Sequence, residues 1–411
     1  MRHILIVGAG IVGLSSAIRM LELGYKVTLV DRKAPGSETS SGNAAGIAWT
    51  DVAPLASPGV WRAVPSWLLD PLGPLSVRPA YGLSILPWML RFSMASLPKQ
   101  HARSTQFIAA LNALALPSWE RLWERTGTKG RARYNGCLEV FDKPSQVQNA
   151  RAGWDKQRNF GIKIEELDGN QLRELEPDLS EDVCGGAFLP QWANVDEPYG
   201  LCQDLARFFL ESGGTFEQQE VRSIDANDQS ASLTLADGSV ISSDNLVVAG
   251  GAWSRPLAAM MGDRVPLDTE RGYNTTIGNA GVSLKHMVMV PGYGFAMNQL
   301  SSGLRVGGAV EFGGLKLDPN WKRVDALLSR AQRILPNLQE NDGKRWMGYR
   351  PSLPDSLPVI GPSRKSDRVV YAFGHGHHGL TQAAATAELV GDLIQGTAPS
   401  IDFSAFSAQR F

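Results

Sequence analysis

Gly8, Gly10 and Gly13 are spaced as a tight turn and a helix start need to be to receive a pyrophosphate, and Asp31 follows 18 residues after Gly13. In the run Gly8-Ala9-Gly10-Ile11-Val12-Gly13, Gly8 permits the turn, Gly10 lets the backbone approach a phosphate, and Gly13 lets helix and strand pack closely. Free N–H groups and the positive end of a helix dipole then face the phosphates. The Asp31 carboxylate can accept hydrogen bonds from ribose hydroxyls. The elements that must hold these residues lie on either side. His3 to Val7 is an apolar run that reads as a buried strand, Leu14 to Leu21 carries helical periodicity, and Lys26 to Val30 is a second strand that ends on Asp31. Strand, glycines, helix, strand and acid in this order predict a dinucleotide-binding unit.

Composition narrows the class. The chain has 411 residues, 43% of them hydrophobic, enough for a large core and two domains on length. A net charge of −1 leaves no field to draw it to nucleic acid. Cys137, Cys184 and Cys202 have no metal-ligand spacing and no disulfide framework, which suits a reducing cytoplasm. The first strand begins at residue 3, so no signal peptide is expected, and no apolar stretch approaches the ~18 residues of a membrane span.

From Trp49 to Pro98 the character changes. Prolines, tryptophans and the cations Arg62, Arg78 and Arg91 sit among apolar runs such as Trp67-Leu68-Leu69 and Leu83 to Leu90. Two readings stand side by side: a buried insertion lining a cleft, and a foot resting on a membrane surface with Trp and Arg at headgroup level. Helical pattern returns from Arg103 to Thr126 and again from Tyr199 to Ser212. Short strands are expected at 136–141, 220–224, 231–235, 240–241 and 245–249, with an Asp237-Gly238 hairpin turn. The pattern is strand-rich from Thr269 to Gly314 and helical from Pro319 to Leu335. A last strand, 369–373, delivers Gly374-His375-Gly376-His377-His378-Gly379-Leu380-Thr381 onto a final helix.

Four blocks make the chain similar to FAD-dependent amino acid oxidoreductases of the D-amino acid oxidase and glycine oxidase superfamily. Within it the chain most resembles D-amino acid dehydrogenases of the small-subunit type. The blocks are the N-terminal fingerprint through Asp31-Arg32; Glu38-Thr39-Ser40 with Asn43-Ala44; Val247 to Ser254; and Arg350-Pro351 with Asp355, Pro358 to Gly361 and the glycine loop to Thr381. Ala56 to Val60 resembles the dehydrogenase subgroup. Ala45-Gly46 replaces the pair that the D-alanine type carries after Asn43-Ala44, and Arg271 to Thr275, read as a loop, and the triple histidine also differ, so the resemblance does not extend to D-alanine as substrate.

The resemblance implies an α/β fold, a Rossmann-like FAD-binding domain with an inserted mixed-sheet substrate domain. The boundaries expected are 1–60, 166–260 and 344–411 for the first and 61–165 with 261–343 for the second. It implies non-covalent FAD, no metal, and hydride transfer from the α-carbon of a D-amino acid, D-proline or its hydroxy derivative among them, to flavin N5. Electrons would pass to a quinone-type acceptor, with the protein cytoplasmic or peripheral on the inner face of the membrane. Arg350 is expected to clamp the substrate carboxylate through two charge-assisted hydrogen bonds. Tyr273 is expected to meet its other oxygen or, equally, to be a core tyrosine, and His378 to touch flavin or substrate. The cofactor is expected against Gly8, Gly10, Ile11, Val12, Gly13, Asp31 and Arg32; against Ser40, Ser41, Asn43, Ala44, Gly46 and Ile47; against Val221, Ala249, Gly250, Gly251 and Trp253; and against Arg350, Gly374, His375, Gly376, His378, Gly379, Leu380 and Thr381. Two alternatives remain open: a glycine or sarcosine-type secondary amine oxidase using oxygen, and a non-catalytic flavoprotein subunit.

Overall fold

A computed structural model of the chain describes residues 1–59, 73 and 75–411. Val60, Trp61, Arg62, Pro65, Trp67-Leu68-Leu69, Pro71 and Pro74 of the Trp/Pro tract lie outside the described residues.

The His3–Val7 strand is apolar on both faces and is accordingly central. It pairs in parallel with Lys26–Asp31 on one side and Asn245–Val248 on the other. Thr215–Gln218 extends the sheet beyond Lys26–Asp31, while Val369–Phe373 and the antiparallel Val359–Pro362 extend it the other way. Alternation sends Ile4 and Ile6 to one face, into a core with the helices Ile11–Glu22 and Gly379–Gln395. Leu5 and Val7 go to the other face, against the meander Val221–Ala226, Ala231–Leu235 and Val240–Ser243. The helix expected from Arg103 begins earlier and runs Pro98–Thr126, its buried Leu111, Trp119 and Trp123 sharing the core of the first helix side.

The second sheet is larger and mixed. Its order is Lys344–Ser352, Asp268–Ile277, Gly303–Phe312, Phe295–Leu300, Met287–Val290, Cys137–Phe141, Gly185–Leu189 and Glu165–Asp168, with Leu75–Val77 paired to the end of Gly303–Phe312. Helix Lys322–Ile334 covers its outer face through Val324, Leu327, Leu328 and Ala331.

Three differences from the sequence reading follow from pairing. Arg271 to Thr275, read as a loop, is the middle of the Asp268–Ile277 strand. Arg350, expected just before a turn region at Pro351–Pro358, lies on the Lys344–Ser352 strand, and this strand, with Glu165–Asp168 and Gly185–Leu189, joins the second sheet. The boundaries expected at 166 and 344 had placed those segments with the nucleotide sheet. In the Trp/Pro tract, helix Gly82–Ala95 buries Ile85, Trp88 and Phe92 against Phe312 and exposes its opposite side.

Candidate functional site

At the end of His3–Val7 the chain turns at Gly8 with φ +105°, and a Cβ there would stand 2.4 Å from the Ala249 carbonyl oxygen. Only glycine accepts both the angle and the approach. Gly13 lies against the Gly8 carbonyl, so no larger residue lets the helix sit this close to the strand. At the start of helix Ile11–Glu22 the Ile11 N–H donates to Ser40 Oγ at 3.0 Å, which ties the polar loop to the helix N-terminus.

The Asp31 carboxylate accepts the Ala9 N–H at 2.7 Å and the Lys33 N–H at 2.9 Å. Burial pushes its carboxyl above the usual range, against those two bonds. Two carboxylate oxygens offer about four acceptor sites, so capacity remains for ribose hydroxyls. The Arg32 guanidinium lies over Trp253 at 4.2 Å and donates to Glu38 at 3.0 Å, which holds it at the mouth of the same groove.

The opposite wall is built by cross-strand register. Arg350 pairs with Glu270, Gly348 with Gly272, and Trp346 with Asn274. Gly272, Gly307, Gly308 and Gly348 line this wall from three adjacent strands. Arg350 and Trp346 lie back over it: a side chain at Gly272 would strike the Arg350 guanidinium at 2.4 Å, and one at Gly348 would strike the Trp346 ring at 2.0 Å. Arg350 donates Nη1 to the Ala309 carbonyl at 2.9 Å, and no carboxylate among the described residues reaches salt-bridge distance. Burial brings its guanidinium below the ordinary arginine value, nearby Glu270 works against that, and the group stays charged. The rest of its donor fork has no hydrogen-bond partner among the described residues.

Tyr273 is different. Its side chain is buried in the core behind the sheet, and its hydroxyl donates to Glu311 at 2.8 Å and accepts the Asn320 N–H at 3.0 Å. Burial first, then Glu311, pushes its phenol up to about 12. Of its two expected roles, the geometry matches the core tyrosine: residue 273 borders the cavity, but the pleat sends its phenol into the core, where Glu311 and Asn320 occupy the hydroxyl.

In the glycine loop the three imidazoles part company. His375 is buried, its Nε2 sits 2.9 Å from Thr386 Oγ1, and burial with His378 nearby lowers it to about 3, so it is neutral. His378 is buried with Nδ1 unpartnered and Nε2 3.8 Å from Asp51, and it does not line the cavity. The expectation that it touches flavin or substrate is therefore not met by this geometry. His377 lines the cavity and places Nε2 2.7 Å from Glu270 Oε2. Among the described residues no trio of His, Cys, Asp or Glu is arranged to hold a metal ion.

These pieces enclose one continuous cavity of about 640 Å³, reaching from Asp31 to Arg350. Of the expected cofactor positions, Gly8, Gly10, Ile11, Val12, Asp31, Arg32, Ser40, Asn43, Ala44, Val221, Ala249, Gly250, Gly251, Trp253, Arg350, His375, Gly376, Gly379 and Leu380 line it. Gly13, Ser41, Gly46, Ile47, Gly374 and Thr381 do not. Thr381 accepts the Ala48 N–H at 2.9 Å, and Ser41 bonds the Glu38 carbonyl at 2.8 Å, so both shape the walls from behind. Sequence reasoning missed Glu270 and Trp346, since their place depends on pairing between strands about 75 residues apart. A glycine inside each strand, Gly272 and Gly348, was the available signal: it leaves room for a neighbouring side chain to fold over the sheet.

The size lies within the ~300–1,000 Å³ of cofactor and ligand sites. The Gly10 cradle, where a Cβ would meet Ser40 Oγ at 3.2 Å, and the spare acceptors of Asp31 fit a dinucleotide laid along the groove.

A family model described as DAO, FAD dependent oxidoreductase, matches residues 3–393. A D-amino-acid oxidase of Bradyrhizobium diazoefficiens is 35% identical over 100% of this chain and 99% of its own. A D-amino acid dehydrogenase of Rhizobium johnstonii is 28% identical over 99% of both chains. Among solved structures, the glycine oxidase of Geobacillus kaustophilus superposes with a TM-score of 0.76 over 100% of both chains, at 22% identity.

Proposed function

Since the chain belongs to the DAO family of FAD-dependent oxidoreductases, we propose that it oxidises D-amino acids, with electrons leaving for a quinone-type acceptor. The observation that carries this reading is Arg350: a guanidinium on the cavity wall, spending one bond on Ala309 and leaving the remainder of its fork toward the space where a carboxylate would lie. A bidentate charge-assisted pair there fixes one end of an amino acid and thereby aims its α-carbon. The flavin, when bound, supplies the hydride acceptor at N5. Gly8, Gly10 and Ile11 would hold its pyrophosphate, Asp31 the adenosine ribose, Arg32 and Val221 the adenine end, and Gly379 with Leu380 the pyrimidine edge. At a helix N-terminus those last N–H groups favour negative charge. The D configuration is supported by the names of the two curated relatives.

Anaerobic addition of D-amino acids, D-proline and hydroxy-D-proline included, should bleach the flavin absorbance of the purified protein. Bleaching by L-amino acids, glycine or sarcosine alone would overturn the reading.

The acceptor is supported by helix Gly82–Ala95. Leu83, Leu86, Leu90 and Met94, with Leu97 beyond it, form an exposed apolar stripe opposite the buried one; Leu83 is 86% and Leu90 67% exposed. Residues 82–99 carry Arg91 and Lys99 and no acid. Such a face suits an anionic bilayer surface, where a quinone is at hand; no helix among the described residues is long and apolar enough to cross one. Binding to anionic vesicles that is lost in Leu86→Asp/Leu90→Asp would support peripheral contact. The relative named an oxidase favours oxygen as a second reading; hydrogen peroxide formed as fast as dye is reduced would establish it.

A further inference from the structure

We propose that His377, held by the buried carboxylate of Glu270, takes the proton that the substrate ammonium must lose before its α-carbon can give up a hydride; the proposal rests on the amino acid reading above. An ammonium nitrogen has no lone pair from which to form C=N. One N–H proton therefore moves to His377, the Cα–H bond then breaks with its electron pair going to the flavin, and the freed nitrogen lone pair forms the iminium. His377 returns the proton to solvent through the half-open loop.

Geometry singles out this pair. Glu270 is 2% exposed and stands directly across the strand from Arg350. Its Oε2 meets His377 Nε2 at 2.7 Å. An ionised carboxylate only accepts, so Nε2 carries the hydrogen and the lone pair of the neutral ring sits on Nδ1. No hydrogen bond from the described residues engages Nδ1. Arg350 and His377 both line the cavity while Glu270 lies behind them. One buried carboxylate thus backs a group suited to the substrate's carboxylate and a group suited to its amine.

The other charges around the pair are few. Arg350 faces Glu270 from the neighbouring strand, Asp268 lies two residues earlier on the same face and is bonded to Tyr81, and His378 adjoins His377 in its loop. Burial raises the Glu270 carboxyl, yet His377 and Arg350 together bring it below its ordinary value. It therefore stays charged and stabilises the imidazolium formed on proton uptake. His375 and His378 lack this placement: one is bonded to Thr386, the other does not reach the cavity. A purely structural pair would instead do no more than pin the glycine loop to the sheet.

The two are separated with His377→Gln, whose half-exposed position leaves folding and flavin content intact, both checked by the flavin spectrum. The rate of anaerobic flavin reduction by a D-amino acid should fall by about 10²-fold or more at neutral pH, in the range of general-base contributions. The deficit should shrink as rising pH supplies the free amine. Affinity for benzoate, a carboxylate without an amine, read from the perturbed flavin spectrum, should change by less than about two-fold. Glu270→Gln should move the midpoint of the rate–pH profile downward, because the imidazolium loses its counter-charge. An unchanged rate, a deficit equal at every pH, or benzoate affinity lost along with the rate would overturn the assignment. A wild-type holoprotein that no amino acid bleaches would instead fail the underlying reading, and the assignment with it.

Discussion

The two faces of the Asp268–Ile277 strand carry the same kinds of residue and use them in opposite ways. On the outer face Arg271 is fully buried and gives its donors to the carbonyls of Gly314, Leu317 and Asp318 and to Glu311, while Tyr273 closes on the same Glu311. On the inner face Glu270 and Gly272 sit under Arg350, which has one carbonyl partner and an open cavity before it. An arginine whose fork is filled is a clamp for its own loops; an arginine whose fork is left incomplete has donors to spare. Residue type does not tell the two apart. The count of satisfied donors does, together with the exposure that Arg350 keeps and Arg271 lacks.

That contrast can be broken most severely at Arg350. Arg350→Ala should lower kcat/KM for amino acids by about 10³-fold, the loss of a buried charge-assisted pair, with FAD content unchanged; stopped-flow flavin reduction reads the first and absorbance the second. Arg350→Lys should recover only part, because an ammonium cannot form the planar two-bond pair. Arg271→Ala should do the reverse. It leaves Glu311 buried without its main counter-charge, which costs about 3–5 kcal/mol of stability in denaturant unfolding, while flavin reduction per folded molecule changes by less than about three-fold.

Tyr273→Phe sharpens the comparison further. It should cost about 1–2 kcal/mol through the unsatisfied Glu311 and Asn320 N–H and leave the KM of the substrate where it was. A large rise in KM would mean that the phenol turns to the carboxylate after all. The smallest effect concerns His375. Its folded value, lowered by burial to about 3, lies below the unfolded 6.5, so the unfolded chain binds the extra proton between those limits. Its contribution is complete above pH 6.5 and declines as pH falls, about 1 kcal/mol lost by pH 6. Unfolding measured against pH should lose that component in His375→Gln.

The cofactor end was legible because its groups are local. His3 to Asp31 is one strand, one turn, one helix and one strand, consecutive in the chain, although the sheet also sets Gly8 against the distant Ala249. The same locality made the final glycine loop and its helix readable. The segment Lys-Arg-Trp-Met-Gly-Tyr-Arg-Pro-Ser at 344–352 gave no such sign. It lacks a clean alternation of apolar residues and is a strand because Asp268–Ile277 pairs with it along its length. Reading Arg271 to Thr275 as a loop failed for the same cause: Gly272 suggests a break in isolation, and is a flat place for a guanidinium once its neighbour strand is present.

What the linear chain decided alone is the N-terminal turn of the dinucleotide groove and the presence of an arginine able to hold a carboxylate, since short-range backbone geometry and a fixed charge need no distant partner. Which carboxylate and imidazole stand beside that arginine was settled only when strands far apart in sequence aligned. Pleat and register assign each side chain to the wet or the dry face, and a shift of one residue would exchange them.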